Sequence, residues 1–238
     1  MIIGSGMLAR AFSDFAEADK TLCVYAYGVS DSRCSDSLAF SRETEALTHA
    51  LDRHPDAIFI YFGTCSVDDP EMKETPYVSH KLRMEALVQM SARSRLIIRL
   101  PQVVGVTRNQ ATLLSFLAHH IRSSSPFDLW LNARRNIIDV DDVVSIVKTM
   151  IKDRDILNET VNVANTVSYT MPAIVASMEK VLGLKALFRA VSRGAGYPID
   201  ISRTLPFVAT AGIQFGEEYL DGVIQKYYGM PNSRFIPD

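Results

Sequence analysis

The feature that most restricts the fold of this chain is a regular alternation of short apolar runs with segments of helical periodicity. The clearest apolar runs are Leu22–Tyr27, Ala57–Phe62 and Leu96–Leu100, and helical patterns lie between them. Strands that alternate with helices favour a parallel sheet with helices packed against it. We therefore expect an α/β fold with a doubly wound parallel sheet.

Composition limits the possible partners. The chain has 238 residues, of which 47% are hydrophobic and 22% charged, so it can bury a sizeable core. A net charge of −2 gives no electrostatic reason to expect binding to nucleic acid or to an anionic membrane. The sequence shows no apolar run near the roughly 20 residues of a membrane span and no signal peptide pattern. We expect a cytoplasmic protein whose partner is a small molecule.

Cysteine and histidine spacing argues against a metal site. The three cysteines, Cys23, Cys34 and Cys65, show no C-x-x-C spacing and leave one unpaired. Of the five histidines only His119 and His120 are close in sequence, and adjacent helical residues point away from each other. We expect reduced thiols and no bound metal.

A glycine-rich turn near the N-terminus is a candidate cofactor site. The apolar strand Met1–Ile3 leads into the sequence Gly-Ser-Gly-Met-Leu-Ala at residues 4–9, and apolar residues then recur at helical spacing. In this context the glycines let the backbone approach a pyrophosphate, whose charge is stabilised by the free N–H groups of the helix N-terminus. The alternative is an ordinary tight turn.

Three polar residues around the third strand form a candidate proton relay. Thr64 follows the run Ala57–Phe62, at the carboxyl end where parallel sheets bind ligands. Thr75 and Pro76 are typical of a helix start, and Tyr77 and Lys81 then share one helical face. A nearby ammonium lowers a phenol's pKa, which would make Tyr77 a general acid/base. The alternative is an ordinary helix with a partly buried tyrosine and a solvated lysine.

The remaining chain continues the alternation and ends in a smaller part. A helix is expected near 110–121, another reaches about Ile151, and a short strand at Thr160–Ala164 precedes a helix that Gly183 ends. We predict a cofactor-binding core over residues 1–155. Residues 156–238 would form a C-terminal part with a small substrate-binding lobe, within a single compact unit.

At this point the sequence resembles the extended short-chain dehydrogenases/reductases, also called the NAD-dependent epimerase/dehydratase family of nucleotide-sugar enzymes. The resemblance covers most of the chain, and four segments match in the family's order. These are the glycine-rich turn, Thr64 followed by Tyr77-x-x-x-Lys81, Arg99-Leu-Pro-Gln-Val-Val-Gly105, and Arg135-Asn-Ile-Ile-Asp-Val-Asp-Asp-Val143. The resemblance implies a Rossmann-like fold that binds NAD or NADP.

The resemblance also implies roles for individual residues. Tyr77 would exchange a proton with a sugar hydroxyl or ketone, Thr64 would hydrogen-bond the same oxygen, and Lys81 would hold the nicotinamide ribose. The implied cofactor-binding residues are Gly4, Gly6, Met7, Leu8, Gly28, Lys81 and Pro101. The implied substrate-binding residues are Ser66, Gln102 and Arg135, with Gln102 at a position where the family has Asn. A surface salt bridge to Asp139 or Asp141 is the alternative for Arg135.

One departure from the family pattern concerns the start of the sheet. Family members place three strands between the glycine-rich turn and the Ser/Thr strand, whereas here there is one, Leu22–Tyr27. Its end, Gly28-Val29-Ser30, resembles the family's fourth strand, so about two strands are missing, and with them the usual adenosine platform. Asp31 is then not expected to bind the adenosine ribose. A right-handed crossover would place the first helix on the opposite face from the family's.

Two functions follow from these observations. The first is an NAD(P)-dependent oxidoreductase or epimerase that acts on a nucleotide-linked or related sugar in the synthesis of a surface glycan. The resemblance also implies a homodimer, as in other family members. Cys65 and Ser66 stand where the family's dehydratases carry an acidic pair, which favours an epimerase or reductase. The alternative is a non-catalytic binding or regulatory protein with weakened dinucleotide affinity. An unrelated doubly wound domain would require four ordered matches to be coincidence.

Overall fold

The computed structural model describes residues 1–107 and 109–229 of the chain. No helix within these residues combines the length and apolar character that a membrane crossing requires. In chain order the strands and helices are β1 Ile2–Ile3, α1 Met7–Ala18, β2 Leu22–Tyr25, α2 Ser37–Arg53, β3 Ile58–Thr64, α3 Pro76–Ser91, β4 Ser94–Leu100, β5 Gln102–Val104, α4 Leu113–Arg122, β6 Phe127–Trp130, β7 Arg134–Asp139, α5 Val140–Lys152, β8 Thr160–Asn162, β9 Ser168–Thr170, α6 Met171–Leu182, β10 Phe188–Val191, α7 Leu205–Thr210 and α8 Tyr219–Tyr228.

The chain forms two compact units, each assembled from separate stretches of sequence. The first comprises Met1–Leu100, Val140–Val163 and Ile199–Ile213. The second comprises the described residues of Pro101–Asp139, Ala164–Pro198 and residues 214–229. The division of the sequence near residue 155 stays a prediction.

The first unit contains a five-stranded sheet in the order β1-β2-β3-β4-β8, with every neighbouring pair parallel. The predicted parallel α/β sheet is therefore confirmed. Within the described residues β1 is an edge strand, whereas in the doubly wound dinucleotide fold the first strand lies inside the sheet, in the order 3-2-1-4-5-6. The sheet thus lacks the strands on the outer side of β1, which confirms the predicted truncation.

The first helix lies on an unexpected face of this sheet. Phe59 and Tyr61 of β3 belong to an apolar cluster with residues of α2 and α3, so these two helices cover one face. The side chain of Phe62 points to the other face, where its ring lies 5.2 Å from that of Phe12 in α1. Helix α5 also packs against α1. Thus α1 and α2 cover opposite faces.

This arrangement determines the hand of the first crossover. Strands β1 to β4 lie side by side in chain order, so the three crossovers all move in one direction across the sheet. Because α1 covers the face opposite to α2 and α3, its crossover has the opposite hand to theirs. Parallel crossovers are right-handed in about 98% of cases, so the β1-α1-β2 unit is the left-handed exception. The expectation of a right-handed first crossover, with α1 on the opposite face from the family's, is therefore wrong.

Local residue choices explain where the helices begin. Helix α2 starts at Ser37, because the Asp36 carboxylate accepts a hydrogen bond from the Leu38 amide at 2.9 Å. Helix α3 starts at Pro76 as predicted, with the Thr75 hydroxyl accepting from the Val78 amide at 3.3 Å. Helix α6 ends at Gly183, which adopts a left-handed conformation with φ of 66°.

The second unit is built around α4, α6 and α8. These helices share an apolar cluster that includes Leu117, Ile174 and Ile224, all buried. Strand β7 pairs in parallel with β5 and antiparallel with β9, while β6 and β10 form a separate parallel pair. Sequence patterns had not predicted β6 or β7, because each is a short run interrupted by charged residues.

Gly4 and Gly6 offer a matched pair of substitutions that tests the glycine-rich turn. Gly4 has φ of 125°, and a Cβ there would lie 2.5 Å from the Ala26 carbonyl oxygen, whereas a Cβ on Gly6 would meet nothing within 4 Å. We expect Gly4→Ala to lower the free energy of unfolding by about 2 kcal/mol or more. Gly6→Ala should stay within about 1 kcal/mol of the wild type. Urea denaturation measures both, and equal losses would contradict this account of the turn.

Candidate active site

The carboxyl end of β3 places Thr64 next to the start of α3. Thr64 is the last residue of β3 and is buried. Its Oγ1 accepts a hydrogen bond from the Ser66 amide at 3.1 Å, which leaves the hydroxyl proton available for another acceptor. Thr64 also interacts with the phenol of Tyr77, and this interaction lowers the pKa of Tyr77. The structure therefore places Thr64 close to both Ser66 and Tyr77, and the catalytic and substrate-binding roles of these residues stay predictions.

Tyr77 is a protonated phenol over the whole physiological range. Burial raises its pKa to about 12, because the phenolate would lose its hydration. The hydrogen bond from Thr64 lowers the pKa, while the negative charges of Glu43 and Asp31 raise it further. The predicted lowering of this pKa by Lys81 is wrong for this structure.

Lys81 is buried and paired with Glu43. Its Nζ donates to the Glu43 carboxylate at 2.9 Å, and both side chains are almost wholly excluded from solvent, at 7% and 1% exposure. Tyr61 is a further partner, with its hydroxyl 3.5 Å from Nζ. The opposite charges of Lys81 and Glu43 therefore compensate each other. A carboxylate near Tyr77 raises the pKa of the phenol, whereas an ammonium would lower it.

The Glu43 carboxylate collects hydrogen bonds from three segments of the first unit. Besides Lys81, it lies 3.0 Å from Nε2 of His80 in α3 and accepts from the Val29 amide of the β2–α2 loop at 2.7 Å. The Tyr61 hydroxyl of β3 donates at 3.4 Å. Because a carboxylate only accepts, Nε2 of His80 carries the proton in this contact. The four donors satisfy a carboxylate that would otherwise be costly to bury.

These donors keep Glu43 ionised despite its burial. Burial by itself would raise the pKa of Glu43, but the His80 hydrogen bond, the Lys81 charge and the Val29 amide outweigh it and lower the pKa to about 2. At neutral pH the cluster is therefore an ion pair and not a pair of neutral groups.

The predicted cofactor-binding residues of the first unit frame a free helix N-terminus. Gly4 and Gly6 are exposed, and Met7 and Leu8 open α1 directly after them. No side chain caps this helix end, and its first turn holds no acidic residue. Its N–H groups and partial positive charge fit a pyrophosphate. The turn therefore fits the phosphate end of a dinucleotide.

The fit is poorer at the adenosine end. In the dinucleotide fold the adenosine lies over strands on the far side of the first strand, and within the described residues β1 has no neighbour there. Gly28 has φ of 144°, and a Cβ there would collide with the Glu43 carboxylate. Gly28 is thus required for close packing of the β2–α2 loop on Glu43, apart from any contact with a cofactor.

The remaining predicted residues, Pro101, Gln102 and Arg135, lie in the second unit. Gln102 is exposed, and Arg135 donates from Nη1 to the Arg134 carbonyl at 2.8 Å. Among the residues that the structure describes, Arg135 forms no ion pair with Asp139 or Asp141. Asp139 instead pairs with Lys226 at 2.6 Å. The guanidinium therefore keeps donors for an anionic ligand.

A small cleft in the second unit adjoins Gln102. Its walls combine apolar side chains with the hydroxyls of Thr107, Thr112 and Tyr228. The side chain of Asn136, next to Arg135 in β7, is held by the Asn165 carbonyl at 2.8 Å. This contact fixes the strand that carries Arg135.

Sequence reasoning missed Glu43, His80 and Tyr61. Glu43 lies on the apolar stripe of α2 between Phe40 and Leu47, where a charged residue requires a buried partner. That spacing was the available signal. The identity of the partner depended on how α2 and α3 pack, which the periodicity of either helix does not reveal.

The ionisation of Glu43 makes the stability of the fold depend on pH in acid. Its folded pKa of about 2 lies below the usual 4.5, so its contribution is present above pH 4.5 and is lost as the pH falls toward 2. We expect the stability advantage of the wild type over Glu43→Gln to shrink by about 3 kcal/mol between roughly pH 5 and pH 2. Urea denaturation across this range measures the difference. A constant difference would show that Glu43 is not ionised in the folded protein.

Solved structures with the same fold are numerous. The chain is similar to a mutant UDP-glucuronic acid 4-epimerase of Bacillus cereus, in complex with a UDP-sugar and NAD, with a TM-score of 0.72, 16% identity, and coverage of 87% of this chain and 74% of that one. It is also similar to RMD of Pseudomonas aeruginosa complexed with NADPH, with a TM-score of 0.72 and 13% identity over 94% of this chain and 96% of that one. WbmH of Bordetella bronchiseptica, in complex with NAD+, matches with a TM-score of 0.66 and 16% identity over 94% and 81% of the two chains.

The family itself is shown by a match of sequence to a family model. No curated protein sequence matches the chain significantly. The model of the NAD dependent epimerase/dehydratase family matches residues 42–164, a span that contains Thr64, Tyr77, Lys81, Gln102 and Arg135. The matched residues alone make up more than half of the chain. The parallel sheet and the glycine-rich turn agree with this match. The chain therefore belongs to the NAD dependent epimerase/dehydratase family, as a member with a shortened sheet.

Proposed function

We propose that this protein is an NAD(P)-dependent epimerase or reductase that acts on a nucleotide-linked sugar, in the synthesis of a surface glycan. The observation that carries the proposal is the interaction of the buried Thr64 side chain, at the carboxyl end of β3, with the phenol of Tyr77. A phenol beside a strand-end hydroxyl can pass a proton to or from a sugar oxygen. Family membership supports the assignment.

The residues of this chain divide the work as follows. A bound nicotinamide would supply the hydride chemistry, and Gly4, Gly6 and the N-terminus of α1 would hold its pyrophosphate. Tyr77 would donate its phenolic proton to a carbonyl oxygen, and Thr64 would hydrogen-bond the same oxygen and so orient it. Burial of Tyr77 excludes water from that proton transfer.

The substrate class rests on residues of the second unit and on the relatives. The guanidinium of Arg135 forms no ion pair among the described residues, and its planar fork suits a pyrophosphate. Gln102 and the adjoining small cleft offer polar groups for a nucleotide or sugar. The similar structures named above include one complexed with a UDP-sugar. Together these features support a nucleoside diphosphate sugar as substrate.

A second function is favoured by two specific observations. Lys81, which the family would use to hold the nicotinamide ribose, is buried against Glu43, and β1 has no strand on its outer side among the described residues. Both features would weaken dinucleotide binding. A non-catalytic binding or regulatory role on the same scaffold is therefore the competing proposal.

Removal of the Tyr77 hydroxyl tests the proton relay. We expect Tyr77→Phe to reduce turnover of UDP-sugars by about 10²- to 10⁴-fold, since the general acid is lost. The affinity for NAD(H) should stay unchanged, because the ring and its packing remain. Steady-state rates and cofactor fluorescence titration measure the two quantities. A variant that keeps full activity would exclude Tyr77 as the acid/base.

Cofactor binding separates the two proposed functions. We expect NADH or NADPH to raise the melting temperature of the wild type at millimolar concentration, and Gly6→Ala to weaken that binding roughly tenfold, because a Cβ would occupy the space of the pyrophosphate. Gly6→Ala is suitable because its Cβ meets no protein atom within 4 Å. Absence of any shift with either cofactor would reject the enzyme and favour the regulatory protein.

A further inference from the structure

We propose that this protein recognises only the nicotinamide, its ribose and the adjoining phosphate of NAD(P)H, so that the adenosine half of the cofactor adds little to the affinity. The binding region is then a half-site, formed by the turn Gly4–Gly6, the N-terminus of α1 and the carboxyl ends of β2 and β3. This inference rests on the proposed function and specifies which part of the cofactor the chain binds.

The connection between α1 and β2 is the first support. A doubly wound dinucleotide fold has two mononucleotide-binding halves, and in the strand order 3-2-1-4-5-6 strands 2 and 3 of the first half follow the first helix along the chain. Here α1 ends at Ala18 and β2 begins at Leu22, so residues 19–21 make the whole connection. Three residues cannot form two further parallel strands with their crossover. The first half, which holds the adenosine, is therefore reduced to β1 and α1.

The other half of the sheet is present. Strand β2 pairs with β3 from Leu22 to Tyr25, and β3 pairs with β4 along its whole length. Strand β1 has only two residues and pairs with β2. Thr64 lies at the carboxyl end of β3, and Tyr77 lies in the first turn of α3. A nicotinamide that reacts beside these two residues lies over this half, so the chain retains the strands that hold this end of the cofactor.

The acidic residues near the expected spacing do not serve an adenosine ribose. In dinucleotide folds an Asp or Glu about 20 residues after the glycine-rich turn binds this ribose. Asp19 comes before β2, at the amino end of the sheet, and accepts from the Thr21 amide at 2.9 Å and from its hydroxyl at 2.6 Å. Asp31 follows β2 and accepts from the Arg33 amide at 3.0 Å. Each carboxylate is used within its own turn, so neither can distinguish NAD from NADP at that ribose.

The phosphate end, by contrast, keeps its positive features. The N-terminus of α1 carries no side-chain cap, and its first turn holds no acidic residue. Arg10 donates from Nη1 to the Ser5 carbonyl at 2.9 Å, which places its guanidinium beside the glycine-rich turn. A phosphate at this turn is stabilised by the helix N–H groups and by a nearby cation. The half-site therefore ends at the phosphate next to the nicotinamide ribose.

The test compares three ligands on the wild-type protein by calorimetric or fluorescence titration, so it does not depend on the folding of any variant. The ligands are NADH, NADPH and reduced nicotinamide mononucleotide (NMNH). We expect the Kd of NMNH to lie within about fivefold of that of NADH, and the Kd values of NADH and NADPH to lie within about threefold of each other. AMP at millimolar concentration should not displace NADH.

Two arginine variants test the phosphate end. Arg10→Gln should weaken the binding of NADH and NMNH by the same factor, about threefold to tenfold, because both ligands carry the phosphate that the half-site holds. Arg93→Gln is the matched control, because Arg93 is also exposed and pairs with Asp56 at 2.6 Å, just before β4 at the amino end of the sheet. This control should leave both affinities unchanged. A loss with Arg10→Gln for NADH alone would place Arg10 on the adenosine half and overturn the proposal.

The remaining outcomes separate this inference from the proposed function. Binding of NMNH more than about 30-fold weaker than that of NADH, or displacement of NADH by AMP, would overturn the half-site and leave the enzyme proposal intact. A preference of more than about tenfold between NADH and NADPH would be equally contrary, because it requires contacts at the adenosine ribose. If none of the three ligands binds, both proposals fail. If NMNH and NADH bind alike but no UDP-sugar is turned over, the half-site stands and the catalytic proposal fails.

Discussion

The buried carboxylate of Glu43 is the contact on which the architecture of the candidate site depends. It accepts hydrogen bonds from α3, from β3 and from the loop after β2, and so joins three segments that are distant in sequence. A buried ion that loses one of its partners carries the full cost of desolvation, so these contacts are mutually dependent. The position of Lys81 and the path of the Gly28–Val29 backbone both follow from this arrangement.

The same cluster changes how a familiar motif operates in this chain. A tyrosine and a lysine four residues apart are expected to cooperate, with the ammonium lowering the pKa of the phenol. Here the lysine is neutralised by a carboxylate from another helix, and burial raises the pKa of Tyr77 to about 12. The motif is intact in sequence, but burial and charged residues outside the motif raise the pKa of its tyrosine.

The shortened sheet has a comparable effect on the cofactor site. The turn Gly4–Gly6 and the uncapped end of α1 retain the geometry that suits a pyrophosphate. Strand β1 is nevertheless an edge strand among the described residues, and α1 crosses to β2 with a left-handed connection. Loss of the strands beyond β1 while α1 keeps its place on the face beside α5 accounts for both features.

The sequence by itself determined the α/β class, the parallel sheet, the truncation and the helix start that presents Tyr77, because these depend on local periodicity, capping residues and the order of motifs. It also placed Thr64 at a strand end. Only the tertiary structure decided the face covered by α1, the partner of Lys81 and the protonation of Tyr77. These depend on which side chains from distant segments share a buried volume, and the charge of Glu43 acts on Tyr77 only because α2 and α3 pack on the same face of the sheet.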